Sequence, residues 1–363
     1  MIANTTDDFY KIVTEDIPLI DVRAPKEFEK GAFLNSVNLP LMNDEERHLV
    51  GICYIEKGNA AAVKLGHELV DGVIRKSRIE GWTTFMAAHP NSVLYCSRGG
   101  QRSQISQQWI LNATGKEVTR IDGGYKAFRA YLLKAFAPCF YKSTPIMLGG
   151  YTGSGKTILL KQLENAIDLE GIACHRGSTF GHLLAPQPSQ ISFENNLAYA
   201  LIKHQHQGFP YMIFEDESRN IGKNYIPQLF YDYIQSGSLV VLEVPLVERI
   251  ECIVKEYVIL SQHQYINLFG NNQGLSEWFN SICESIIKIK KSLGGELCKR
   301  ILDFCKQAYE NQLNTGSYDL HQEWVGPLLT EYYDKMYQHS LQKRNNRIIF
   351  KGSPAEVLEY FRI

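Results

Sequence analysis

The chain has 363 residues, of which 44% are hydrophobic and 21% are charged, an ordinary composition for a folded protein of about two domains. Its formal net charge of −1 excludes a uniformly basic nucleic-acid-binding protein, so any RNA binding needs a local basic surface. The eight cysteines form no C-x-x-C pair and no apolar run could cross a bilayer, so we expect free thiols, no zinc site, no membrane contact and a cytoplasmic location.

The first predicted strand, residues 18–23, is apolar and ends in Asp21 and Arg23. Pro25 then begins a helix, because proline suits a first helical turn. A second short strand covers residues 37–40, and a long amphipathic stretch with helical spacing follows from 43 to 76. Asp21 and Arg23 have two interpretations. They form a buried ion pair that locks the sheet, or they support a site at the strand end.

The sequence YCSRGGQRS at residues 95–103 places Cys96 where a buried strand, 92–95, gives way to a helix. The glycines let successive backbone N–H groups turn toward one anion, and a helix N-terminus adds positive potential. Such surroundings lower the pKa of a thiol. We therefore predict that Cys96 is a catalytic nucleophile, and that Arg98 and Arg102 help it to face an anionic substrate.

Residues 118–125 read as a strand with a Gly-Gly turn that leads into a helix over 126–133. Strands that alternate with helices predict a parallel α/β sheet, whose active site lies at the carboxyl ends of the strands. DVR at 21–23, the Cys96 loop and DGGY at 122–125 together resemble a rhodanese domain, with predicted bounds 1–137. The resemblance implies that Cys96 carries sulfur as a persulfide and that the loop cradles its charge.

A predicted strand over residues 144–149 runs into GYTGSGKT, which matches the P-loop pattern G-x-x-x-x-G-K-[ST], and a helix follows. This context predicts a P-loop α/β domain over residues 144–258, with no tightly bound cofactor and no certain metal site. Backbone N–H groups of the loop would wrap a diphosphate, the lysine would reach its terminal phosphate, and the threonine could hold Mg²⁺. The diphosphate-binding residues are Gly150, Gly153, Ser154, Gly155, Lys156 and Thr157.

Two further apolar strands are predicted at residues 210–215 and 239–244. The first ends in Glu215 and Asp216, where a Walker B strand would end. These acids either hold a metal through water or cap the next helix. Arg219 follows them and is a further supporting candidate.

Residues 171–174 read as a strand, and the polar loop after it carries His175, Arg176 and Ser178. The order of strands in the sheet would bring this loop beside the P-loop. We expect the three side chains to lie near the diphosphate or near the base that reacts. The alternative for His175 is a buried, hydrogen-bonded core residue.

From about residue 258, apolar residues recur at helical spacing. They predict a helical subdomain, residues 259–363, that completes the P-loop domain and contains a last strand at 348–350. Its aromatic stripe is interpreted as core. Its basic residues suit RNA phosphates or a solvated face, and the candidates for tRNA binding are Lys290, Lys291, Lys343, Arg344 and Arg347.

A rhodanese-like domain followed by a P-loop domain resembles the tRNA 2-selenouridine synthase family. The stretches that carry the likeness are 39–50, 95–103, 149–157, 168–181 and 215–222, with departures at Ser97 and Gln101. The predicted fold class is α/β, with a parallel sheet in each domain and a helical C-terminal subdomain.

The resemblance implies a transferase that acts on wobble 2-thiouridine, expected in the tRNAs for Lys, Glu and Gln. The sulfur is geranylated with geranyl diphosphate, and the S-geranyl group is then replaced by selenium from selenophosphate. An enzyme that supplies selenophosphate is an implied partner. Cys96 would serve the selenium step, either by carrying selenium as a selenosulfide or by attacking the activated carbon.

Two other functional classes stay open on the sequence. One is a rhodanese-type sulfurtransferase in which the P-loop domain is an NTP-driven switch, which would turn over nucleotide and release persulfide without tRNA. The other is a cysteine phosphatase, because Cys96 and Arg102 also fit the pattern C-x5-R. Activity on a generic aryl phosphate would favour that class.

Overall fold

The computed structural model describes residues 4–181, 184–342 and 347–362. It divides into two compact units. The first contains Met1–Tyr141 and Pro188–Gly208, and the second contains Lys142–Gln187 and Phe209–Ile363. The sequence-based boundaries assigned residues 188–208 to the P-loop domain. In the structure this segment packs with the first unit.

The first unit is built on a five-stranded sheet in the order β1-β5-β4-β2-β3, in which every neighbouring pair is parallel. This topology brings the carboxyl ends of β2 and β4 side by side, so the loops that follow them share one edge of the sheet. The strands are β1 Thr5–Thr6, β2 Leu19–Asp21, β3 Ser36–Asn38, β4 Val93–Tyr95 and β5 Thr119–Ile121.

Helices connect these strands, as the alternating pattern predicted. The longest is kinked at Gly58, whose φ of 80° is not helical. The helices are α1 Phe9–Thr14, α2 Pro25–Lys30, α3 Asp44–Leu69, α4 Gly72–Ala88, α5 Gln101–Thr114 and α6 Gly124–Leu133. Trp82 of α4 is fully buried in the core and its indole N–H donates to the carbonyl of Leu39 at 2.8 Å. Burial of such a side chain contributes about 2–3 kcal/mol.

One further helix of the first unit, Gln190–Gln207, comes from later in the chain, and we call it the returning helix. Its Asn195 donates to the carbonyl of Ala32 at 2.8 Å, and Arg129 of α6 pairs with Glu194 at 2.5 Å. Its apolar face is fully buried and includes Phe193, Leu197, Ala198, Leu201 and Ile202. These contacts explain why it belongs to the first unit.

The second unit has its own five-stranded parallel sheet, in the order β12-β11-β6-β8-β7, beside a small antiparallel β9–β10 ribbon. The predicted strand near the end of the chain is therefore an edge strand of the P-loop sheet. The strands are β6 Thr144–Gly150, β7 Ala166–Ile167, β8 Tyr211–Glu215, β9 Asn220–Ile221, β10 Asn224–Tyr225, β11 Ser238–Leu242 and β12 Ile348–Gly352.

Two short helices flank the P-loop, α7 Lys156–Leu160 and α8 Leu169–Ala173. The prediction of a strand over residues 171–174 is wrong, because α8 occupies most of that stretch. The carboxylate of Asp168 caps α8 by accepting from the N–H of Gly171, and Cys174 ends it in the left-handed conformation. Such a local capping interaction overrides the apolar, strand-like composition.

The remaining residues of the second unit are mostly helical, as predicted. Trp278 and Trp324 are buried at the centre of the helical core. Two segments, Val254–Leu260 and Leu329–Tyr333, are wider π-helices, which occur often at functional sites. The α-helices are Gln228–Gln235, Leu246–Ile253, Ser261–Phe269, Asn271–Lys288, Lys290–Leu293, Gly295–Thr315, Gln322–Leu328, Asp334–Gln342 and Pro354–Arg362.

The predicted α/β class, with a parallel sheet in each unit and a helical C-terminal part, is confirmed. Within the described parts of the chain, no helix combines the length and apolar character needed to cross a bilayer.

Candidate active site: the Cys96 loop and the P-loop cavity

Cys96 follows β4 directly and lies at the edge of the first sheet where the sequence placed it. Its side chain is buried, with the sulfur 3.2 Å from the hydroxyl of Ser103 and 3.9 Å from the carbonyl of Gly100. Helix α5 begins at Gln101 without a side-chain cap. The sulfur therefore lies against the first turn of a helix, whose free N–H groups favour negative charge.

The Gly-Gly turn after β5 holds the Cys96 loop in place. The N–H of Tyr125 donates to the carbonyl of Cys96 at 2.8 Å. A Cβ added at Gly124 would lie 2.3 Å from the nitrogen of Gly99. Only glycine allows the two loops to approach this closely.

The two arginines of the loop have different surroundings. Arg98 is exposed, so an incoming anion can reach it. Arg102 instead forms a two-point ion pair with Glu27, at 2.5 and 3.1 Å. Burial by itself would raise the pKa of Glu27, but hydrogen bonding and the charge of Arg102 outweigh it, and the pKa is lowered. The positive charge of Arg102, which we expected to face an anionic substrate, is thus already paired with Glu27.

Asp21 and Arg23 form an ion pair with a contact of 2.6 Å, and both side chains are almost fully buried. The guanidinium of Arg23 also donates to the carbonyl of Gly31 and stacks 3.9 Å from the ring centre of Tyr125. These contacts support the structural interpretation, in which the pair locks the sheet edge beneath the Cys96 loop.

The P-loop lies between β6 and α7, and a cavity of about 1070 Å³ opens beside it. The ammonium group of Lys156 donates to the carbonyls of Gly150 and Tyr151, at 2.9 and 3.4 Å, so it curls over its own loop. The cavity is lined by Gly153, Gly155, Lys156 and Thr157 together with Arg176, Ser178, Glu170 and Glu217. The strand, loop and helix have the arrangement that binds a diphosphate.

Arg249 was missed as a support for this loop. Its guanidinium is buried, pairs with Asp334 at 2.7 and 2.8 Å, and donates to the carbonyl of Thr152 at 3.3 Å. A Cβ at Gly153 would lie 2.6 Å from the carbonyl oxygen of Arg249. Arg249 stands in the middle of a helix, so no local sequence signal connects it with the P-loop.

Buried carboxyl groups also surround the cavity. Burial raises the pKa of Glu170 to about 9, and nearby Glu217 and Glu215 add to the rise while Lys156 opposes it. Burial also raises the pKa of Glu215 to about 8, and raises that of Glu217. Below about pH 8, Glu170 and Glu215 are therefore protonated and neutral, so they do not repel an anion.

Inorganic pyrophosphate is therefore expected to bind this cavity less tightly as the pH rises through about 9. Glu170 loses its proton there and becomes a negative charge beside the anion. Loss of one linked proton lowers the affinity by at most about tenfold per pH unit. Calorimetric titration across this range tests the expectation. Glu170→Gln keeps the position neutral and should remove most of the decline, so an unchanged pH profile in that variant would contradict this account.

A small apolar hollow adjoins the P-loop cavity. The two spaces share five lining residues: Thr152, Ser178, Ile253, Tyr257 and Tyr333. The deeper wall consists of Phe180, Trp324, Val325, Leu328 and Leu329. Tyr257 comes from one π-helical segment, and Leu329 and Tyr333 come from the other. The polar lining of the P-loop cavity thus continues into an apolar lining.

Only some of the residues predicted to support the site lie at the P-loop cavity. Arg176 and Ser178 line the P-loop cavity, with the guanidinium of Arg176 5.0 Å from the ring centre of Tyr257. His175 is buried and lines a different depression. Arg219 is exposed and donates to the carbonyl of Ile226, away from the cavity lining.

A metal role for the acidic strand end gains no direct support. Glu215 is buried and accepts from the N–H of Leu169 at 3.1 Å, and Asp216 is half-buried. Across residues 4–181, 184–342 and 347–362 there is no cluster of three or more side chains able to hold a metal. The hydroxyl of Thr157 lies 3.4 Å from a carboxyl oxygen of Glu170.

The residues predicted to bind tRNA differ from one another in their exposure and contacts. Lys290 and Lys291 are exposed. Arg347 donates to the carbonyl of Gly237 at 2.6 and 3.0 Å, so its guanidinium is used within the fold. Lys343 and Arg344 lie outside the described residues.

Both parts of the chain match known families. The model described as the tRNA 2-selenouridine synthase AAA domain matches residues 143–363, and the rhodanese-like domain matches residues 5–131. Three similar proteins are each named tRNA 2-selenouridine synthase. That of Sulfurovum sp. (strain NBC37-1) is 48% identical over 98% of both chains. That of Hydrogenovibrio crunogenus is 48% identical over 98% of both. That of Shewanella sediminis is 47% identical over 97% of this chain and 95% of its own.

These matches span almost the whole chain and confirm the family that the motifs predicted. They also account for the pairing of a reactive-cysteine loop with a P-loop in one polypeptide. The chain belongs to the tRNA 2-selenouridine synthase family of tRNA-modifying enzymes.

Proposed function

We propose that this enzyme converts wobble 2-thiouridine in tRNA to 2-selenouridine in two steps, with one site for each step. The P-loop cavity transfers a geranyl group from geranyl diphosphate to the sulfur. The Cys96 loop then replaces the S-geranyl group by selenium from selenophosphate. The tRNAs for Lys, Glu and Gln are the proposed substrates, and an enzyme that makes selenophosphate is the proposed partner.

The observation that carries the first step is the apolar hollow joined to the P-loop cavity. A prenyl diphosphate has an anionic head and an apolar tail, and the two connected spaces offer one environment for each. Trp324, Leu328 and Leu329 present hydrocarbon and no hydrogen-bonding pattern suited to a nucleobase edge. This supports geranyl diphosphate over ATP as the ligand of the P-loop.

The first step is a displacement at carbon. The sulfur of 2-thiouridine forms a bond to C1 of the geranyl group, the C–O bond to diphosphate breaks, and the N3 proton is released. Lys156, Arg176 and the loop N–H groups stabilise the negative charge that develops on the departing diphosphate. Bound Mg²⁺ would neutralise further charge, with Thr157 as its protein ligand. The product is an S-geranyl thioimidate, whose carbon is open to a nucleophile.

Electron balance decides between the two roles considered for Cys96. Selenophosphate holds selenium at the selenide level, so a selenosulfide on Cys96 would require removal of two electrons by an oxidant that neither substrate supplies. Attack of the Cys96 thiolate on C2 needs no oxidant. Geranyl thiolate leaves and takes a proton, selenide released from selenophosphate by water then displaces Cys96, and phosphate is the by-product. Exposed Arg98 is suited to receive the selenophosphate anion.

Purified enzyme is expected to geranylate thiolated tRNA with geranyl diphosphate as the only other substrate. The diphosphate is itself the leaving group, so no nucleotide has to be hydrolysed. Mass spectrometry of digested nucleosides, with and without ATP, measures the S-geranyl product. A matched tRNA without the thio group controls for alkylation elsewhere. Strict dependence on ATP hydrolysis would overturn the proposal and favour the sulfurtransferase with an NTP-driven switch.

A further inference from the structure

A second apolar cavity, of about 520 Å³, lies in the first unit. It shares no lining residue with the P-loop cavity. Its walls come from α3, α5 and the segment before α3, and include Met42, Val50, Tyr54, Val63, Ile105 and Trp109. We call it the α3 cavity.

The α3 cavity borders the Cys96 loop. Gln101 and Arg102, the first two residues of α5, form part of its lining. Cys96 itself packs in the same apolar cluster as Met42 and Trp109, which line the cavity. The cavity therefore lies next to Cys96, with one apolar cluster in common.

The shape of α3 creates the cavity. The kink at Gly58 separates Tyr54, on the first half of the helix, from Val63 on the second half, and both line the same space. In a straight helix, residues nine positions apart are separated by two and a half turns, so they lie on opposite faces. The long insertion between β3 and β4 thus builds an apolar chamber, which an anionic sulfur or selenium donor does not need.

We propose that the α3 cavity binds the geranyl chain of the S-geranyl tRNA intermediate while Cys96 attacks C2. The inference rests on the proposed two-step function. In that reaction an apolar ten-carbon chain is attached, through sulfur, to the carbon that Cys96 attacks. Burial of the chain holds this carbon at the thiol and keeps the departing geranyl thiolate in place. Unmodified 2-thiouridine has no such chain, so the cavity makes selenation selective for geranylated tRNA.

The test supplies the enzyme with two synthetic RNAs, one with S-geranyl-2-thiouridine and one with S-methyl-2-thiouridine. Both carry a thioimidate, but only the first has a chain for the cavity. Wild-type kcat/KM for selenouridine formation should be higher on the S-geranyl RNA by at least roughly tenfold to a hundredfold, since even one methylene group in an apolar pocket gives discrimination on that scale. Equal rates on the two RNAs would overturn the inference.

Val63→Trp fills the cavity, and Lys64→Trp places the same side chain on the exposed neighbouring position of α3. The first variant should lose most of the preference for S-geranyl RNA, and the second should keep it. Both should still geranylate thiolated tRNA, which also reports that the chain has folded. Identical preferences in the two variants would refute the role of the cavity. The proposed function would fail differently, because wild-type enzyme would then make no geranylated or selenated RNA.

Discussion

Cys96→Ser enzyme is expected to accumulate geranylated tRNA and to form no 2-selenouridine. The P-loop cavity belongs to the second unit and is untouched by this change, so the first step continues. A serine hydroxyl is a far weaker nucleophile than a thiolate. Loss of a catalytic nucleophile costs up to about 10⁶-fold in kcat in well-studied hydrolases. Mass spectrometry of wobble nucleosides measures both products in one digest.

Cys139→Ser is the matched control, because Cys139 is an exposed free cysteine of the same unit. It should make both products at the wild-type rate. Wild-type enzyme given S-geranyl RNA without selenophosphate should form a covalent RNA adduct on a denaturing gel, and Cys96→Ser should not. Equal loss of geranylation and selenation in Cys96→Ser would show that the steps are not divided between the two sites.

The reciprocal result is expected for Lys156→Ala. This variant should lose geranylation by about 10²–10³-fold, the usual cost of removing one donor that stabilises developing charge. The ammonium group of Lys156 donates to two uncharged carbonyl groups of its own loop, at 2.9 and 3.4 Å. It is therefore available to the diphosphate. Single-turnover transfer from radiolabelled geranyl diphosphate gives the rate.

Lys335→Ala provides the comparison, since Lys335 is an exposed lysine of the second unit that pairs with Glu331 at 3.0 Å. It should geranylate normally. Lys156→Ala should also convert preformed S-geranyl RNA to 2-selenouridine as fast as wild type, because that step belongs to Cys96. Failure on this preformed substrate would mean that the P-loop contributes to both steps.

The positions of the Cys96 loop and of the P-loop could be predicted from the sequence because their sequence signals are local. Cys96 with its glycines, and Lys156 with its own, lie within a few residues of a strand end and a helix start, so the fold places them directly. Side chains that depend on distant partners could not be predicted. Arg102 looked like an anion ligand, but Glu27 pairs with it, and Arg347 looked like an RNA ligand, but the carbonyl of Gly237 accepts from it.

The apolar hollow beside the P-loop cavity could not be predicted from the sequence either. Phe180, Tyr257 and Trp324 lie far apart in the chain, and each reads as an ordinary core residue. They line the same hollow only because the chain packs in three dimensions. The two π-helical segments, Val254–Leu260 and Leu329–Tyr333, contribute to its lining. Glu170 stood within a family-like stretch, yet a single carboxyl group in the first turn of a short helix carries no sequence signal of its raised pKa.

The returning helix has a consequence for the order in which the protein can be made. A chain leaves the ribosome from its N-terminus, and domains generally fold as they emerge. The first unit lacks its last helix until Gly208 has been synthesised, after the P-loop strand and loop are already out. Until then the apolar face that receives Phe193 and Leu197 stays uncovered. The rhodanese-like part thus precedes the P-loop strand in the chain but cannot be completed before it, and a gene fragment that stops at residue 137 encodes an incomplete core.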